Sequence, residues 1–193
     1  RRIDRWGGDV RKRMNFPLAV VSAVHEAVKK HAKQPFIIGY RISPEEIEEP
    51  GITMDDTLQF VQKLADQHLD YLHLSVGTVW RGSIRNPSDT TPLLERIRDH
   101  LEHKIPLVGV GSIRHPDQAI DVLHKDIDLV SIGREMIIEP QWVEKVQNGK
   151  EDDIRVSMSL QDQERLAVPS PLWESITSVR GWFPIDEHNQ AGR

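Results

Sequence analysis

The stretch Ile105–Pro140 constrains this chain more than any other, because two short apolar runs within it both end at glycine. Pro106–Val110 ends in Gly109-Val110-Gly111-Ser112, and Ile127–Ile132 ends in Gly133-Arg134. Between them Ala119, Ile120 and Leu123 mark the expected inward face of a short helix. A strand, a helix and a second strand joined this tightly form a parallel unit, so both strands finish at the same edge of a sheet. Glycine at those ends leaves backbone N–H groups uncovered, and Arg134 adds a guanidinium. Uncovered amides and a cation at one sheet edge read as a phosphate site.

The rest of the chain repeats the alternation. Pro35–Ser43 and Asp70–Val76 read as two further strands. Asn15 as a cap, Pro17 in the first turn and the stripe Val20, Val21, Val24, Ala27, Val28 predict a helix to about His31. Thr53 and Asp56 form a capping box ahead of Leu58, Val61, Leu64 and Ala65, and Pro92 opens a helix that turns Leu94, Ile97 and Leu101 inward. Met136–Ile138 and Trp142–Val146 continue as helical turns broken at Pro140.

Strands alternating with helices make an α/β fold, either an open doubly wound sheet or part of an eight-stranded barrel. A dinucleotide fingerprint needs a glycine where Arg114 stands. Phosphate held by the last two strand ends is instead the habit of a TIM (β/α)8 barrel after its strands seven and eight. Counting backward, the four strands are strands five to eight. A whole barrel takes about 250 residues, so the first four are expected to be missing from these 193. Residues 1–148 are thus read as the C-terminal half of a barrel. Residues 149–193, rich in proline and tryptophan, are read as an irregular tail packed over the body by Trp173, Trp182 and Phe183 and fraying after about Ile185.

Individual side chains carry unequal weight. Arg41 lies near the end of a buried strand, where a charge needs either a carboxylate or a bound anion, and the sequence leaves both open. His73 within its strand reads as a packed residue without a role. Gly77–Thr91, with Trp80, Arg81 and Arg85, is long enough for a binding loop. Asp99, His100 and His103 mimic metal spacing, yet nothing else supplies ligands, and no metal is expected. The basic residues among Arg1–Asn15 read as a solvated loop around Trp6-Gly7-Gly8.

Composition sets the outer limits. A net charge of −5 argues against nucleic acid as a partner. No apolar run approaches the roughly 20 residues that span a bilayer, and the Arg-rich start lacks the apolar core of a signal peptide. A soluble, cytoplasmic protein without membrane contact is expected, and the lack of cysteine is compatible with a reducing compartment.

Arg2-x-Asp4-x-Trp6-Gly7-Gly8 with Arg13-Met14, then Arg41-Ile42-Ser43-Pro44, Val110-Gly111-Ser112-Ile113, and Ile132-Gly133-Arg134 with Pro140 occur in this order. In that order they resemble the C-terminal half of the old yellow enzyme family, the FMN-dependent NADH:flavin oxidoreductases. Leu172-Trp173 and Gly181-Trp182-Phe183-Pro184 are similar to the tails of one bacterial subgroup. Asp9 stands where that family usually has serine.

The resemblance implies FMN as cofactor and NADH or NADPH as co-substrate. Hydride would pass to the flavin and on to an electron-poor alkene, quinone, free flavin or oxygen, so the partner is a small-molecule electron acceptor. It places Arg41 at the flavin's pyrimidine edge, where its charge stabilises the anionic reduced ring. It places Gly111, Ser112, Gly133 and Arg134 at the phosphate. Trp80 on a loop over the substrate and Arg180 reaching a neighbouring subunit are weaker carry-overs. The substrate-anchoring pair and the proton donor belong to the other half, so no catalytic residue is assigned. The chain alone is expected to be inactive and to self-associate through exposed barrel edges. Alternatives are a non-catalytic phosphate-binding α/β module or another phosphate-binding barrel enzyme.

Overall fold

A computed structural model describes residues 2–186; Arg1 and residues 187–193, where fraying was expected, lie outside the described residues. The elements run α1 (Val10–His31), β1 (Gly39–Ile42), α2 (Met54–Ala65), β2 (Tyr71–Leu74), α3 (Leu93–Leu101), β3 (Leu107–Val110), α4 (Pro116–Leu123) and β4 (Leu129–Ser131). Then come α5 (Arg134–Ile138), α6 (Trp142–Gln147), a 3-10 turn (Glu151–Asp153) and α7 (Ser170–Ser178). All four strands pair in parallel in the order β1-β2-β3-β4. Sequential parallel strands separated by helices are what half of a (β/α)8 barrel requires.

Contacts gather into two compact units. The first runs through Gly111 and includes Val122–Ser131, and the second comprises Ser112–Asp121 and the chain from Ile132 onward.

In the first unit, sheet register sorts side chains by face. A Cβ on Gly109 would meet Leu94 and Val122, each at 3.1 Å, so this face of the sheet lies under these two side chains. Ile42, Leu72, Leu74 and Leu107 share the face by pairing and alternation, and all are buried. Arg41, His73, Val108 and Leu129 line up in register across the other face. That face is more open: Leu129 is 50% exposed. Parallel sheets normally have both faces covered, and a half-barrel explains an open one.

Local signals explain the helix boundaries. Thr53 and Asp56 close the expected capping box, and Leu94, Ile97 and Leu101 are buried as expected. Four expectations need correction. Asp9, not Asn15, caps α1, accepting from Lys12 N at 3.0 Å, and Pro17 lies inside the helix. Only Met14 and Val21, seven residues apart, are buried on α1, while Val20 and Val24 are exposed. The first strand begins at Gly39 because Ile38 N donates to the Asp70 carboxylate at 2.6 Å, and Phe36 and Ile37 are left exposed at the sheet edge. On α4 the inward residue is Val122, while Ile120 and Leu123 are each 46% exposed. Side-chain-free Gly109 opens the space that Val122 fills.

The second unit has its own core. Ile138, Met158, Val168, Trp173, Ile176 and Phe183 form one buried cluster. The tail is more regular than its composition suggested, because Pro171 in the first turn starts helix α7. Trp173 and Phe183 are buried in this cluster, whereas Trp182 is 38% exposed. Hydrogen bonds from Met158 N to Pro184 O (3.0 Å) and from Asp186 N to Met158 O (2.9 Å) pin the last described segment.

Candidate functional site

Parallel pairing of Val110 with Ser131 brings the ends of β3 and β4 side by side, as the two glycine-terminated runs predicted. Their glycines do different work. Gly111 has φ +123°, and a Cβ there would lie 2.8 Å from the Thr78 backbone and from Val76 O. Only glycine fits so close an approach of two loops. Ser112 continues the turn at φ +55°. A Cβ on Gly133, by contrast, would meet nothing within 4 Å. Packing therefore does not demand glycine at 133, and its absence of side chain leaves the backbone accessible.

Arg134 follows directly. Its Nη2 donates to Ser112 Oγ at 3.2 Å and its Nη1 to the main-chain oxygen of Trp182 at 2.8 Å. No carboxylate among the described residues forms an ion pair with it, unlike Arg13, Arg96, Arg155 and Arg165. A guanidinium oriented by two neutral acceptors keeps its charge for an anion.

Arg41 answers the question its sequence position raised. Its side chain is exposed and donates from Nη2 to Ser75 Oγ at 2.5 Å, and no carboxylate among the described residues pairs with it. The structural ion pair is therefore not what holds it. In register beside it, His73 has a buried Nε2 with no hydrogen-bond partner among the described residues. Burial, and then the Arg41 charge, push the imidazole pKa down and so favour its neutral form.

Trp80 lies in the loop after β2, 38% exposed, with Lys125 Nζ 5.6 Å from its ring centroid. That loop is clamped to the loop after β1: Ser83 Oγ and Ile84 N donate to the buried Glu45 carboxylate at 3.1 and 2.9 Å. Arg180 is exposed after α7.

Sequence reasoning missed two buried carboxylates on and just after α5. Burial alone would raise the pKa of Glu139, which is fully buried. Hydrogen bonds from Lys145 Nζ (2.6 Å) and Arg155 Nε (3.0 Å) more than offset that and hold it at about 2. Glu135 is 2% exposed and neither of its oxygens has a hydrogen-bond partner among the described residues. Burial pushes its pKa up to about 7, with Arg114 opposing and Glu139 adding to the rise. Neither position breaks an apolar period strongly enough to announce itself. Ser75 was missed too, because its bond to Arg41 follows from strand register rather than from spacing.

The sequence profile of the NADH:flavin oxidoreductase / NADH oxidase family matches residues 1–153. The chain belongs to this family. It is 42% identical over 186 residues to the "Probable NADH-dependent flavin oxidoreductase YqiG" of Bacillus subtilis (strain 168), covering 96% of this chain and 50% of that protein. It is also 42% identical over 177 residues to the NADH:acrylate oxidoreductase of Vibrio harveyi, covering 90% of this chain and 17% of that one. Among solved structures, the old yellow enzyme homologue from Zymomonas mobilis superposes with a TM-score of 0.57 at 21% identity, over 77% of this chain and 40% of that chain. That likeness gives the fold, the second half of an old yellow enzyme barrel. The chain spans about half the length of its Bacillus relative.

Proposed function

We propose that this chain forms the cofactor-phosphate half of an FMN-dependent oxidoreductase of old yellow enzyme type. Residues 1–148 supply the last four βα units and residues 149–193 an appended segment. The observation that carries the reading is the Arg134 guanidinium, oriented on Ser112 and not neutralised by any described carboxylate, next to the open backbone of Gly133. These residues fit a phosphate ester: a dianion would meet an oriented guanidinium beside the Gly133 backbone, where an added Cβ would meet nothing within 4 Å. When bound, FMN supplies hydride acceptance from NAD(P)H and delivery to an electron-poor acceptor.

The chain's own residues then have distinct tasks. Gly111 and Ser112 shape the first turn, Gly133 leaves room, and Arg134 binds and orients the phosphate. Arg41, steadied by Ser75, presents its charge to the flavin's pyrimidine edge. His73, whose neutral form is favoured, would add little positive charge beside Arg41. The relatives' names favour NADH as donor. The acceptor is an electron-poor alkene, a quinone, a flavin or oxygen. Acrylate is not carried over, because the chain covers 17% of the protein named for it. The residues that would anchor substrate and donate a proton lie in the complementary half, so this chain alone is expected to be inactive. We place the enzyme in the cytoplasm, where NADH is produced and consumed. Edge strands β1 and β4 favour self-association of the isolated chain, which light scattering would reveal as a species larger than 22.2 kDa.

The test is FMN binding by the complete protein carrying Arg134→Ala or Gly133→Val. Both should weaken FMN while leaving the fold intact; unchanged affinity in both would overturn the assignment. Gly111→Val is the poorer probe, because its side chain would collide with the Thr78 backbone whether or not flavin binds.

A further inference from the structure

Arg134 has a partner well outside the segment that matches the family profile, which ends at residue 153. Its Nη1 donates to the Trp182 main-chain oxygen at 2.8 Å, 48 residues further along. We propose that the C-terminal segment positions the phosphate-binding arginine, with the Trp182 carbonyl acting as a fixed rest for its guanidinium. The inference builds on the reading of Arg134 given above.

Several observations make this carbonyl a fixed one. Just before it, Gly181 takes φ +77°, a conformation that side-chain-bearing residues rarely adopt, and Trp182 N donates back to Val179 O at 3.2 Å. Just after it, Phe183 is 4% exposed in the cluster that also buries Ile138. Ile138 is four residues along α5 from Arg134, one turn away on the same helix. Beyond Phe183, the chain is bonded to Met158 on both sides through Pro184 O and Asp186 N. The tail thus grips α5 through an apolar contact at one end and a hydrogen bond to its first side chain at the other.

The geometry also leaves the guanidinium usable. Trp182 O and Ser112 Oγ occupy one N–H on each of Nη1 and Nη2. Of five donors, three remain. Without the carbonyl, a long side chain with about 2 kcal/mol of rotamer entropy would have to be ordered by the ligand itself. A segment beyond the barrel then sets how tightly a phosphate-bearing flavin is held, through the arginine it orients.

The experiment compares FMN with riboflavin, which lacks the phosphate, by fluorescence titration of the complete protein. The variants are Gly181→Val, Gly181→Asn, Arg134→Ala and the Gly181→Val/Arg134→Ala pair. Valine cannot hold the Gly181 turn, whereas asparagine tolerates it. The expected result is an FMN-over-riboflavin preference about tenfold lower in Gly181→Val, in keeping with one hydrogen bond to a charged group. Gly181→Asn should keep the preference, and Gly181→Val should cost nothing more once Arg134 is alanine. Should Gly181→Val fail to fold, the milder Gly181→Ala is read by the same ratio. If Arg134→Ala leaves the preference intact, the reading of Arg134 fails and the proposal with it. If Arg134→Ala lowers it but the Gly181 substitution leaves it unchanged, or lowers it equally in both backgrounds, only the tail's role is overturned.

Discussion

Replacing Gly111 and Gly133 by alanine, one at a time, separates a glycine the fold needs from a glycine the ligand needs. At Gly111 the new methyl would lie 2.8 Å from Thr78 Cα, Thr78 N and Val76 O. All are backbone atoms, so no rotamer change relieves the contact. Holding alanine at φ +123° adds strain of about 1–3 kcal/mol. Overpacking of a closely fitted site adds about 1–3 kcal/mol more. A loss of roughly 3 kcal/mol is a large part of a stability that is typically about 5–15 kcal/mol. In urea unfolding followed by circular dichroism, the midpoint should fall by about 1–2 M with an unchanged slope. Gly133→Ala, with nothing within 4 Å of its Cβ, should stay within about 0.5 kcal/mol of wild type and lose FMN affinity instead. A Gly111→Ala protein that unfolds at the wild-type midpoint would refute the close-approach argument, and equal destabilisation by both would refute the contrast.

The charged groups supply further predictions. Glu139→Gln leaves Lys145 and Arg155 without their shared carboxylate and should cost about 3 kcal/mol in thermal unfolding. For Glu135, the folded pKa of about 7 lies above that of the unfolded chain, so its contribution is fully present below about pH 4.5 and is lost as pH rises through about 7. Glu139, held at about 2, contributes above about pH 4.5 and loses that contribution on acidification toward its folded value. Stability should therefore decline on both sides of roughly pH 4.5–5, and Glu135→Gln should flatten the neutral limb in denaturation series while leaving the acid limb. In the complete protein, Ser75→Ala should leave the unfolding midpoint in place and slow flavin reduction by NADH about tenfold, because Arg41 loses its described side-chain partner.

Much of the architecture was legible because it rests on short-range signals. The capping box at Thr53, the proline before Leu93 and the glycines ending two apolar runs each have a local physical cause. The strand boundaries were less legible. Phe36 and Ile37 look like strand interior, yet the ladder begins where Asp70 ends its bond to Ile38, 32 residues away. Val20 and Val24 look like a buried face because periodicity records which face is apolar, not whether anything covers it. The candidate site divides in the same way. Gly133 and Arg134 could be proposed from type and position. Ser75 beneath Arg41 required the register, and the Trp182 carbonyl gives no signal at all, since every residue carries one.

The central claim is that Arg134 and its neighbouring turns hold the phosphate of FMN. Phosphorus-31 magnetic resonance of FMN bound to the complete protein, followed across pH, tests it at the atom concerned. A phosphate monoester takes up its second proton near pH 6. Beside a fixed guanidinium the dianion is favoured, so the bound resonance should stay constant well below that pH in the wild type and should titrate near it in Arg134→Ala. Identical titrations in the two proteins would contradict the account.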